Sequence, residues 1–162
     1  MHQVFLGIGG NVGNKHENFD KVYTFIQNEL GEISKRSSVY ETPPWGFDAS
    51  DNFWNQVLIM KTELDPVECL QKNAEIEKWF GRERVSGKYN SRQMDIDILY
   101  FDELVIQTEN LTIPHSHIPL RLFVLVPLAE TAPDFVHPRL GYTSLQMLEN
   151  CTDSSVIKKV EL

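Results

Sequence analysis

Cysteine is nearly absent. The 162 residues hold only Cys69 and Cys151, far apart and in no C-x-x-C pair. The reading this favours is two reduced thiols in a reducing compartment, the cytoplasm. Long apolar runs are missing as well. No stretch approaches the ~20 residues that span a bilayer. Met1-His2-Gln3-Val4 lacks the basic stretch that opens a secretion signal. Positive charge is in short supply: 15 Lys and Arg stand against 23 Asp and Glu, for a net charge of −8. Such a chain repels a phosphate backbone, which argues against a general nucleic-acid binder. Repeats, low-complexity tracts and long linkers are also lacking.

What is present suits one domain over residues 1–162. Hydrophobic residues make up 41%, enough for a core without covalent staples. Val4 to Ile8 reads as a strand. Asn14 and Glu17 suggest a capping box, and Phe19, Val22, Tyr23, Ile26 and Leu30 follow at helical spacing. Residues 33–40 and 53–62 look extended, with a Pro-rich loop between them. Asp65-Pro66 with Glu68 opens a second helix ending near Gly81. Met94 to Phe101 alternates as a strand. Residues 120–129 suggest a helix broken or kinked by Pro127, and Thr143 with Gln146 caps a last one. The order β-α-β-β-α-β predicts a ferredoxin-like α+β fold, an antiparallel sheet with helices on one face and a C-terminal extension.

The sharpest chemical feature is Met94-Asp95-Ile96-Asp97-Ile98-Leu99-Tyr100. In a strand, Asp95 and Asp97 share one face and Met94, Ile96 and Ile98 the other. Two carboxylates ~7 Å apart along a strand favour a cation between them. Mg²⁺ accepts one or two carboxylates and leaves positions for phosphate oxygens. A bare D-x-D is more often a solvated strand face with two ordinary acids, and the neighbouring residues tip the balance. Just upstream, residues 82–92 carry four bases (Arg82, Arg84, Lys88, Arg92) and one acid in this acidic chain. Arginine forks suit phosphate oxygens, although a solubilising loop has the same composition. Arg121 and His115 extend the anion-binding set. His115-Ser116-His117 lacks a third ligand at zinc spacing. Glu77 falls on the apolar face of the second helix and calls for a partner, an arginine of the following loop, unless the helix end frays. Phe53 and Asn55 share a strand face and, with Trp45 and Phe123, suit a flat heterocycle; any of these aromatics is also a natural core residue. Gly7-Ile8-Gly9-Gly10-Asn11-Val12-Gly13 fails both the dinucleotide fingerprint and the P-loop.

Taken in order, these segments resemble the 6-hydroxymethyl-7,8-dihydropterin pyrophosphokinase family. The matching pieces are Gly9-Gly10-Asn11, Tyr40-Glu41-Thr42-Pro43-Pro44-x-Gly46, Asn55, Arg82-x-Arg84, Arg92-x-x-Asp95-x-Asp97-Ile98, Ile113-Pro114-His115, Arg121-x-Phe123 and Pro127-Leu128-Ala129-Glu130-x-Ala132-Pro133. The resemblance implies a monomer that moves pyrophosphate from ATP to the pterin hydroxymethyl oxygen and releases AMP. It implies Asp95 and Asp97 on two Mg²⁺ ions, and Arg82, Arg84, Arg92, His115 and Arg121 on the ATP phosphates, with Arg82 and Arg92 catalytic. Asn55 and the Thr42-Pro43-Pro44 backbone, beside Trp45, would read the pterin edge, with Phe53 and Phe123 about its ring.

This chain departs from the family in three places. Gly9-Gly10-Asn11 stands for the usual Gly-Ser-Asn, and Phe53 for a common Tyr. Tyr89-Asn90-Ser91-Arg92 replaces Trp-Gly-Pro-Arg, which changes the stiffness of the loop before Arg92. Two other readings share these residues: a different Mg²⁺-dependent nucleotidyl or phosphoryl transferase, and a paralogue that binds pterin or nucleotide without catalysis.

Overall fold

Helix starts are fixed by side chains. Asn14 accepts the N–H of Glu17 at 3.0 Å, while Glu17 turns to Lys21 at 3.3 Å, so only half of the expected capping box forms. Asp65 with Glu68 and Thr143 with Gln146 form complete boxes. The computed structural model describes residues 1–43, 52–81 and 93–161. Along them run β1 (His2–Gly10), α1 (Lys15–Glu29), β2 (Gly31–Arg36), β3 (Tyr40–Thr42), β4 (Phe53–Thr62), α2 (Pro66–Trp79), β5 (Asp95–Phe101), β6 (Ile106–Gln107), β7 (Thr112–Ile113), α3 (Leu122–Thr131), α4 (Ser144–Asn150) and β8 (Lys158–Lys159). The expected extended run 33–40 is two strands, β2 and β3, which share one edge of β4.

The main sheet has the order β5-β1-β4-β3-β8, with β2 also on β4, and its pairings are antiparallel. β1 lies between β4 and β5, and its alternation sorts two cores. Val4, Leu6 and Ile8 pack with Phe19, Val22 and Ile26 of α1 and Cys69 and Ile76 of α2. Phe5 faces the other way and joins Val57, Ile59 and Leu99 under Leu125 and Leu128 of α3 and Met147 of α4. The mixed helix and antiparallel-sheet fold is as expected, but helices cover both faces, because the C-terminal pair packs on the second one. α3 also passes through Pro127 without a break. Its last hydroxyl, on Thr131, returns to the Pro127 and Leu128 carbonyls at 3.0 and 3.2 Å. α3 and α4 cover the Phe5 end of the second face. At the Gly9 end this face carries the polar, half-buried Asn55, Asp95 and Asp97.

Candidate active site

The site is organised by the register of β1. Gly9 stands opposite Asn55 on β4 and opposite Asp95 on β5; Gly7 stands opposite Asp97. Directly opposed residues share a face, so Asn55, Asp95 and Asp97 lie on one surface. Two strand spacings, ~10 Å, separate Asn55 from Asp95. β3 extends the same surface: Thr42 pairs with Phe53 and Tyr40 with Asn55. A Cβ on Gly9 would collide with the amide oxygen of Asn55 and press on the Trp54 carbonyl. The bare backbone at Gly9 is therefore the slot in which the Asn55 side chain lies.

β5 is an edge strand, and Glu77 secures it. The Glu77 carboxyl is buried and accepts the N–H of Ile96 at 2.7 Å. Ile96 sits between Asp95 and Asp97, so this bond fixes the backbone that carries both. The expected partner for Glu77 is an arginine of the following loop, which lies outside the described residues, and the alternative is a frayed, wet helix end. Glu77 is buried, and a backbone N–H satisfies it.

Beyond β7 the chain returns to β5 through His115, whose N–H donates to the Leu99 carbonyl at 3.0 Å. His117 follows, its N–H on His115 Nδ1 at 3.1 Å and the two rings 5.3 Å apart. Burial, and then the neighbouring His115, hold the His117 imidazole below its ordinary pKa, with the Asp97 charge pulling the other way. His117 thus stands within electrostatic reach of Asp97. In the sequence, His117 reads only as a zinc ligand that lacks a third partner; the signal that marks it is the two-residue spacing from His115.

Arg121 and Phe123 flank the start of α3, the guanidinium 5.4 Å from the ring centre. Burial lowers the Arg121 pKa, with the charge of Asp153 opposing the shift. Glu130, nearer the other end of α3, takes the Tyr40 hydroxyl at 2.6 Å and the Ser38 N–H at 2.8 Å, tying α3 to β3. Of the expected site residues, the β1–β4–β5–β3 register gathers Thr42, Phe53, Asn55, Asp95 and Asp97 on one surface. His115 lies against β5, and α3 brings Arg121 and Phe123 to the same side of the sheet. Pro43 follows β3 and is exposed. Pro44, Trp45, Arg82, Arg84 and Arg92 lie outside the described residues, as do Tyr89, Asn90 and Ser91.

The donors suit a hard cation. Asp95 and Asp97 offer carboxylate oxygens, the ligands Mg²⁺ prefers. Among the described residues no cluster of three or more His, Cys, Asp or Glu forms a cage. Such a pair fits an ion that takes its remaining ligands from phosphate and water.

Comparison with known proteins supplies the family. The family model described as 7,8-dihydro-6-hydroxymethylpterin-pyrophosphokinase matches residues 5–133. The 2-amino-4-hydroxy-6-hydroxymethyldihydropteridine pyrophosphokinase of Aquifex aeolicus is 41% identical over 138 residues, 85% of each chain. That of Methylorubrum extorquens is 35% identical over 162 residues, covering 99% of this chain and 100% of its own. Wild-type Plasmodium falciparum HPPK-DHPS with SDX-DHP superposes with a TM-score of 0.77 at 16% identity, over 92% of this chain and 44% of that one. This chain spans less than half of that longer protein, and at such identity the likeness is one of fold. With the family model matched over most of its length and relatives above 30% identity along nearly all of it, the chain belongs to the 7,8-dihydro-6-hydroxymethylpterin pyrophosphokinase family.

Proposed function

We propose that this chain transfers a pyrophosphoryl group from ATP to the hydroxymethyl oxygen of 6-hydroxymethyl-7,8-dihydropterin, releasing AMP, as a step of folate biosynthesis. The observation that carries the reading is the register at Gly9, which sets an amide suited to a heterocycle edge and a carboxylate pair suited to a cation on one surface. The hydroxymethyl oxygen attacks the β-phosphorus and loses its proton. The bond from that phosphorus to the α,β-bridging oxygen breaks, and the oxygen leaves with AMP. In-line transfer of this kind rests on position and charge stabilisation more than on a strong base.

Asn55 and the backbone at Thr42 and Pro43 hold the pterin edge, joined by Pro44 and Trp45. Phe53 and Phe123 hold its ring. Asp95 and Asp97 hold two Mg²⁺ ions, which when bound neutralise phosphate charge. His115 and Arg121, together with Arg82, Arg84 and Arg92, hold the phosphate chain. Glu77 keeps β5, and so both aspartates, in register. The activity is assigned to one domain, residues 1–162, acting as a monomer in the cytoplasm. No helix among the described residues is long and apolar enough to cross a membrane.

The test is AMP release from MgATP with and without the pterin. The reading expects AMP only when pterin is present. AMP formed at the same rate without pterin would point to another acceptor, and none at all from folded protein to a binding-only paralogue.

A further inference from the structure

α3 begins without a cap of its own. Arg121 occupies the N-cap position and makes no side-chain bond to the first turn. The first N–H groups of a helix have no partner within it and need acceptors from elsewhere. For Leu122 the acceptor comes from far along the chain: Asp153 Oδ2 takes the N–H at 2.9 Å. The other oxygen, Oδ1, accepts the Ser155 N–H at 2.9 Å and the Ser155 hydroxyl at 2.6 Å. Both carboxylate oxygens are thereby engaged, which sets the orientation of the group. A negative charge at this helix end also complements the helix dipole.

The segment that carries Asp153 is itself fastened. β8 pairs with β3, Tyr40 opposite Lys159 and Glu41 opposite Lys158, and the Val160 N–H donates to Val39 at 2.8 Å. Residues 134–161 lie beyond the stretch that the family model matches. They nevertheless reach back to the turn that bears two expected substrate contacts, because Leu122 sits between Arg121 and Phe123.

We propose that Asp153 is a positioning residue for substrate binding: by capping Leu122 it fixes the first turn of α3, and with it the directions in which Arg121 and Phe123 present themselves. This rests on the reading above that Arg121 meets phosphate and Phe123 meets pterin. Misplacing a binding group by ~1 Å can cost ~100-fold in rate, so a loose first turn weakens both substrates together.

The test compares Asp153→Ala, Asp153→Asn and Ser155→Ala with Phe123→Ala. Each is checked by circular dichroism and assayed well below its melting temperature. Separate KM values for ATP and pterin, and separate dissociation constants, are the readouts. Asp153→Ala is expected to raise both KM values by ~10-fold or more. Asp153→Asn, which keeps an acceptor for Leu122, recovers most of the loss. Ser155→Ala, which removes the hydroxyl bond to Oδ1 but keeps the backbone N–H there, gives a smaller rise in the same two constants and serves as the probe if Asp153→Ala does not fold. Folded Asp153 and Ser155 variants with wild-type constants, beside a Phe123→Ala enzyme that has lost pterin affinity, would overturn the inference and leave the site reading standing. Wild-type constants in Phe123→Ala would instead remove the site reading, and the inference with it.

Discussion

The amide oxygen of Asn55 occupies the space that a side chain on Gly9 would fill. Gly9→Ala therefore displaces the Asn55 amide from β1 without introducing charge. An unmade polar contact of this kind costs ~1–3 kcal/mol, so pterin affinity should fall ~10–100-fold. ATP affinity should change little, because Asn55 lies across β1 from the aspartates. Calorimetric titration with each substrate checks this. Equal loss of both would mean that the substitution has distorted β1 as a whole.

Asp97→Ala should abolish turnover while leaving the fold intact. Asp97 is half-buried on the polar end of the second face, whereas its neighbours Ile96 and Ile98 are buried in the opposite core. Melting temperature and turnover, measured on the same sample, separate the two effects. A folded variant with full activity would remove Asp97 from the metal site.

Glu77→Ala should destabilise the protein by ~1–3 kcal/mol, the cost of leaving the buried Ile96 N–H without its acceptor. Glu77→Gln retains an acceptor and should lose less. Urea denaturation of the two variants decides the matter. An alanine variant as stable as wild type would show that the bond to Ile96 contributes nothing net.

Tyr40 and Glu130 predict a pH dependence at both extremes. Burial first, and then the hydrogen bond and charge of Glu130, push the Tyr40 phenol up to about 12. A phenol raised above its unfolded value of ~10 contributes stability that is complete below pH ~10 and lost as pH rises toward 12. Burial pushes Glu130 up, but bonds from Tyr40 and Ser38 outweigh it and hold its carboxyl below the ordinary range. That contribution is present above the usual carboxylate pKa and is lost as pH falls through the lowered one. Tyr40→Phe should flatten the alkaline limb of melting temperature against pH. Tyr23 and Tyr100 are raised by burial too, so the slope shrinks without vanishing. A Tyr40→Phe curve parallel to wild type between pH 10 and 12 would contradict the assignment.

Local signals carried much of this structure. The alternation of residues 94–100 places Asp95 and Asp97 together in one strand, and the boxes at Asp65 and Thr143 mark their helix starts. Long-range register was not readable. Nothing near Gly9 in sequence tells that Asn55 and Asp95 flank it, since that depends on how β1 pairs with two distant strands. The same limit hid the Glu77–Ile96 bond and the Asp153 cap, each made between residues far apart in the chain. Pro127 misled for a physical reason. Proline discourages a helix interior, yet here it lies on the buried side of α3, whose apolar contacts with β4 hold the helix through it.

The most direct test of pyrophosphoryl transfer is the fate of a label. ATP carrying ³²P at the α, β or γ position is supplied in separate reactions with the pterin, and the products are separated. The account predicts that β and γ labels pass together to the pterin while the α label remains in AMP. A γ label alone on the pterin, with ADP as the other product, would make the chain an ordinary kinase and contradict the account.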